Sequence, residues 1–136
     1  MIKRRKPRKE SLSSREASLL IKRQFTFLDL MKVKLGIGDK QQIVECLTVG
    51  DLAFIMGRKT TTIKRAESSG AIPKAPFQIM QNGLPCRIYP KPYAIKFAYI
   101  YLTEVKQNIS MPEKTRQKIL LLRQNCRKEY GYDEEA

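Results

Sequence analysis

The run Arg58-Lys-Thr-Thr-Thr-Ile-Lys-Arg-Ala-Glu-Ser68 places two arginines, two lysines and four hydroxyls within eleven positions. Wound as a helix, it turns Ile63, Ala66 and Glu67 inward. Arg58, Thr61 and Arg65, spaced three and four apart, then form the opposite stripe, flanked by Lys59, Thr60, Thr62, Lys64 and Ser68. These side chains suit recognition of a polyanion: arginine forks onto guanine, threonine bonds bases or phosphate, and lysine neutralises phosphate. A second set, Asn82, Arg87 and Tyr89, follows at a tight turn. A third, Lys3, Arg4, Arg5, Lys6, Arg8 and Lys9, puts six cations and no acid in the first nine residues. Two interpretations of that arm stand open, a tether that tracks a nucleic-acid backbone and a solubilising tail.

Composition limits the alternatives. The chain has 136 residues, enough for one domain with appendages, and carries 27 basic against 13 acidic side chains, a formal charge of +14. Such an excess calls for a polyanionic partner, nucleic acid before an anionic membrane. With no histidine, triads that use it as base are excluded. Cys46, Cys86 and Cys126 lie 40 residues apart with no CxxC pair, so no metal site and no cofactor is expected, and free thiols suit a reducing cytosol. Neither paired carboxylates nor a phosphate-cradling glycine loop marks an enzyme. No apolar run approaches a membrane span, and the basic start, Met1 to Lys9, is not followed by the apolar region of a signal peptide.

The positive charge is concentrated before residue 97, and the end, Tyr132-Asp-Glu-Glu-Ala, is acidic. Five segments follow: a basic arm over 1–12, a helical extension over 13–46, a DNA-binding unit over 47–107, a C-terminal helix over 108–129 and an acidic tail over 130–136. Ser13 and Glu16 form a capping box, and helical spacing predicts a helix over 14–34, ended by Gly36-Ile-Gly38, with a short helix over 40–46 after it. Thr48 and Asp51 repeat the box and open a helix over 49–56, which buries Leu52 and Ala53. Gly57 then makes a tight turn into a second helix from Thr60 to Ser69, stopped by Gly70 and Pro73. Asn82-Gly83 between short apolar runs signals a hairpin over 77–89, in which Pro85 places the second strand at an edge.

Pro90 and Pro92 open a helix over 93–105 with Ile95, Ala98, Leu102 and Val105 on one face; its Tyr93, Tyr99 and Tyr101 read as core or interface rings. Ser110 and Glu113 form a third capping box, with Pro112 in the first turn. In the helix that follows, Thr115, Ile119, Leu122 and Cys126 make a narrow stripe. It either packs on its own domain or, through Ile119, Leu122 and Cys126, forms an oligomer seam.

The segment from Leu47 to Pro73 resembles the DNA-binding domain of the MerR family and its excisionase-type relatives. The similarity lies in Val49-Gly-Asp-Leu-Ala53, in Gly57, in Thr62-Ile-Lys64 with Glu67 three residues on, and in Gly70-Ala-Ile-Pro73; Asn82-Gly83 and Arg87-Ile-Tyr89 resemble the wing. The resemblance covers about residues 47–105. It implies a mainly α fold with a small β-hairpin wing, a MerR-like winged helix-turn-helix whose second helix enters the major groove. Carried over by position, Thr62, Lys64, Arg65 and Arg87 contact DNA, and Tyr89 either does so or anchors the wing. Arg65-Ala66 stands where the family has two aromatics, and the long dimer helix of its regulators is missing.

The expected function is sequence-specific binding of double-stranded DNA, as a small transcriptional regulator or an excision factor of a mobile element, in the nucleoid of a prokaryotic or phage-infected cell. The expected assembly is a homo-oligomer, a dimer in preference, with no membrane and no metal partner. The alternative is a DNA-recognising assembly protein such as a viral small terminase subunit. RNA binding would need exposed stacking aromatics.

Overall fold

The computed structural model describes residues 11–105 and 111–132. The chain runs α1 (Ser14–Phe25), β1 (Met31–Leu35), a 3-10 turn (Gly38–Lys40), β2 (Gln42–Thr48), α2 (Val49–Met56), α3 (Thr60–Ser69), β3 (Phe77–Gln81), β4 (Leu84–Pro90), α4 (Lys91–Glu104) and α5 (Glu113–Glu129). Its four strands form one antiparallel sheet in the order β1-β2-β4-β3. The fold is therefore mixed α/β, and the expectation of a mainly α protein with a small hairpin is overturned.

The error lies between residues 26 and 48. The capping box at Ser13 and Glu16 is present, but α1 ends at Phe25, where the Thr26 hydroxyl bonds the Arg23 carbonyl at 2.6 Å. The predicted helix over 14–34 thus gives way after Phe25 to a turn and then β1, and most of the predicted helix over 40–46 lies in β2. The reason is visible in the residues. Met31, Val33 and Leu35 alternate with Lys32 and Lys34, so a strand puts the apolar set inside and both lysines in water. In register, Val33 faces Val44 and Met31 faces Cys46, and Val33, Leu35, Val44 and Cys46 are all buried. Gly36 closes the hairpin at φ +121°, and a Cβ there would lie 2.5 Å from the Lys40 carbonyl oxygen, which restricts the position to glycine.

The helix-turn-helix forms as the residues require. The Thr48 hydroxyl accepts from the Asp51 backbone N–H and the Asp51 carboxylate from that of Thr48, each at 3.2 Å, and α2 buries Leu52, Ala53, Ile55 and Met56. Gly57 turns the chain at φ +69°, and α3 ends at Gly70. Asn82 and Gly83 both have positive φ, as a two-residue hairpin turn demands. That hairpin does not stand alone. β4 lies inside the sheet, paired with β3 through Leu84–Ile88 and with β2 through Ile88–Pro90. Pro85 does not make it an edge strand, because β2 does not reach that far and in this register the proline nitrogen points away from β3.

α4 is the central helix, packed on α1, α2, α5 and strands β2 and β4. It buries Tyr93, Ala94, Phe97, Ala98, Tyr101 and Leu102, while Ile95 is half-buried. α5 begins at Glu113 with Pro112 as its N-cap and no side-chain cap; Ser110 lies outside the described residues. Thr115, Ile119 and Cys126 are buried and Leu122 is half-buried, so this stripe packs on the chain's own core. The arm from Lys3 to Lys9 and residues 133–136, which hold the three acids of the predicted 130–136 tail, lie outside the described residues.

Candidate nucleic-acid interface

The outer face of α3 is built by exclusion. Ile63 and Glu67 are buried on its inner side, which turns Thr61, Thr62, Lys64, Arg65 and Ser68 outward, with Lys59 exposed just before the helix and Thr60 half-buried at its start. The side chains of Lys59, Lys64 and Arg65 make no hydrogen bond or ion pair with any other described residue. Their charges are available to a ligand.

The other arginines near α3 are engaged. Arg58, expected on the outer stripe, donates from Nε to the Tyr101 hydroxyl at 2.8 Å and stacks over that ring at 5.5 Å. Arg87, expected to contact DNA from the wing, pairs through Nε with Glu67 Oε1 at 3.0 Å and is about one-third exposed. Tyr89 is fully buried and its hydroxyl donates to Glu67 Oε2, so it anchors the wing and does not reach a ligand. Burial pushes the Glu67 carboxyl up, against the bond from Tyr89 and the charge of Arg87. Burial also pushes the Tyr89 hydroxyl up, and the neighbouring carboxylate adds to the shift.

These ties share one scaffold. Tyr89, Tyr93, Phe97 and Tyr101 form a column of rings four residues apart, with centroid separations of 6.4, 5.8 and 6.5 Å. One end holds Glu67 near the end of α3, and the other holds Arg58 before its start. The column crosses from β4 into α4 and so sets the pitch of α3 relative to the wing. Two of the tyrosines noted in the sequence, Tyr93 and Tyr101, belong to it, and burial pushes the Tyr93 hydroxyl up.

A groove separates α3 from the wing. Towards the hairpin tip it opens as a cavity of about 340 Å³, lined by Lys64, Thr48, Val49, Gln81, Asn82 and Leu84 among others. Towards the base lies a cavity of about 540 Å³ lined by Ser68, Lys74, Gln78, Arg87, Arg123 and Arg127 among others. The start of α2 adjoins the start of α3, since a Cβ on Gly50 would lie 3.7 Å from both the Thr48 and the Thr60 hydroxyls. Backbone N–H groups at helix starts favour anions. Lys64 and Asn82 thus meet in one cleft, whereas Arg58 is half-buried against Tyr101 and Tyr89 is buried in the interior.

Three arginines of α5 were not singled out in the sequence. Arg116, Arg123 and Arg127 lie on one helix face, and their guanidinium groups bond the carbonyls of Gly70, Lys74 and Pro76 at 3.0, 3.0 and 2.7 Å. Arg127 also stacks over Phe77 and Tyr132. They clamp the loop between α3 and β3. Their spacing of seven and four was legible as a helix face, but their partners are backbone carbonyls, which carry no residue signature.

Cys46, Cys86 and Cys126 are free thiols, and burial pushes Cys46 and Cys126 up to about 12, which keeps both protonated. Among the described residues, no helix is long and apolar enough to cross a membrane. No family model matches the chain, and neither a curated protein nor a solved structure gives a significant match.

Proposed function

We propose that this protein binds double-stranded DNA in a sequence-dependent way, with α3 in the major groove and the β3–β4 hairpin against the adjoining backbone or minor groove. The observation that carries this is the pair Lys64 and Arg65. Both side chains are exposed and without partners, on a helix tied at one end by the buried Tyr89–Glu67 bond and at the other by the half-buried Arg58–Tyr101 bond. Preorganised cations on a rigid helix suit groove recognition, because little ordering remains to be done on binding. The motif resemblance to the MerR and excisionase-type families supports the same reading, as does the net charge of +14. Thr61, Thr62 and Ser68 would add hydroxyl contacts from the same face, and Asn82 would contact the duplex from the wing. The protein would act by binding alone, as a regulator or excision factor in the nucleoid.

The test is fluorescence anisotropy of labelled duplexes with the full chain. Arg65→Ala should cost about 1–3 kcal/mol of discrimination at one base position if Arg65 reads a base. Lys64→Ala should weaken all sequences equally and lower the log-log salt slope by about 0.9. Wild-type binding by the double variant K64A/R65A would refute the interface.

A further inference from the structure

We propose that the tip of the β3–β4 hairpin is an apolar wedge that enters a base step of the duplex from the minor groove and bends it. This rests on the DNA-binding reading above.

In a chain of net charge +14, the nine residues from Gln78 to Cys86 carry no charge at all. The one cation further along the ribbon, Arg87, is turned onto Glu67. A wing that tracked phosphates would present lysine or arginine, and this one presents Met80 and Leu84, each 67% exposed. Met80 faces Pro85 across the ladder and Leu84 faces Gln81, so each face of the ribbon tip carries one exposed apolar side chain. Between them the turn offers Gln81 and Asn82, whose amides match the acceptor edges of the minor groove.

Shape and stiffness agree with this use. The two-residue turn makes the tip narrow. β4 continues from the tip into the core, where Ile88, Tyr89 and Pro90 are buried, so the ribbon is held at its base. The tip also shares a cavity of about 340 Å³ with Lys64, so a duplex lying on α3 comes against it. Apolar side chains inserted between base pairs unstack the step and kink DNA away from the protein-facing minor groove. An exposed apolar tip could also meet a second copy of the chain. Continuity with the Lys64 cleft favours DNA.

The experiment uses a ~30-base-pair duplex carrying a donor and an acceptor dye at its ends, titrated with the full chain at low salt; the length spans a protein-bent site of ordinary size. Wild-type protein should bind and raise energy transfer. M80A/L84A should bind within about tenfold of wild type and leave the duplex straight, and M80L/L84M should restore the bend. Surface substitutions of this kind change stability little, which a thermal melt checks. Binding without bending by wild type, or an unchanged bend in M80A/L84A, overturns the wedge and leaves the DNA-binding reading intact. No binding by wild type overturns both. A DNA-free dimer that M80A/L84A converts to monomer assigns the tip to a second copy and overturns the wedge.

Discussion

Two arginine-bearing helices, α3 and α5, use the same side chain for opposite ends. On α5, Arg116, Arg123 and Arg127 are half-buried and bonded to the carbonyls of Gly70, Lys74 and Pro76. On α3, the side chains of Arg65 and its neighbour Lys64 are exposed and bonded to no described residue. A charge count along the chain treats both helices alike. The structure separates them by whether the guanidinium is already engaged. In this molecule the α5 arginines hold the loop after α3, and the α3 cations are left exposed.

That division can be broken at several points. The largest effect is expected from Glu67→Ala, which leaves Arg87 and the buried Tyr89 hydroxyl without their partner. Removing one member of a buried pair costs about 3–5 kcal/mol, and the partial exposure of Arg87 places this case at the lower end. Urea denaturation measures it, and a loss below about 1 kcal/mol would remove Glu67 from the scaffold. Next comes Arg123→Ala, expected to cost about 1–2 kcal/mol through the lost hydrogen bond to the Lys74 carbonyl, whose exposure to solvent lowers its worth. Arg65→Ala should stay within about 0.5 kcal/mol of wild type in the same titration. Equal losses at the two positions would erase the distinction. Gly57→Val should cost about 1–2 kcal/mol, since φ +69° is strained for any residue with a Cβ, and an unchanged melting temperature would contradict the turn.

The smallest effect is a pH dependence. The folded state holds the Glu67 proton more tightly than the unfolded chain, whose ordinary value is 4.5. This contribution is fully present below that value and is lost as pH rises through the higher folded one. Wild-type stability should therefore fall relative to Glu67→Gln as pH rises from about 4.5. Parallel pH profiles for the two proteins would contradict the raised carboxyl.

The helix-turn-helix was legible because its signals are local. A capping box at Thr48 and Asp51, a glycine at 57 and another at 70 each fix a chain direction within a few residues. The Asn82-Gly83 turn was legible for the same reason. Residues 26–48 were not, because helical spacing carried past Phe25 masked the shorter alternation of Met31, Val33 and Leu35. The pairing of β2 with β4 joins Cys46 to Pro90, a separation that no local pattern records. At the site, the outward face of α3 followed from its period. The inward turn of Arg58 and the burial of Tyr89 depend on a column of rings assembled from β4 and α4, and only the fold brings those together.

The most direct test sets the two helices against each other in one assay. Anisotropy titrations of a duplex should be run at two salt concentrations with wild type, K64A/R65A and R116A/R123A, each verified as folded. K64A/R65A should bind at least tenfold more weakly, with the log-log salt slope reduced by about 0.9 for the lost Lys64 phosphate contact, while folded R116A/R123A keeps the wild-type slope. An unchanged slope for K64A/R65A, or the larger loss in R116A/R123A, would contradict the assignment of α3 as the DNA-binding face.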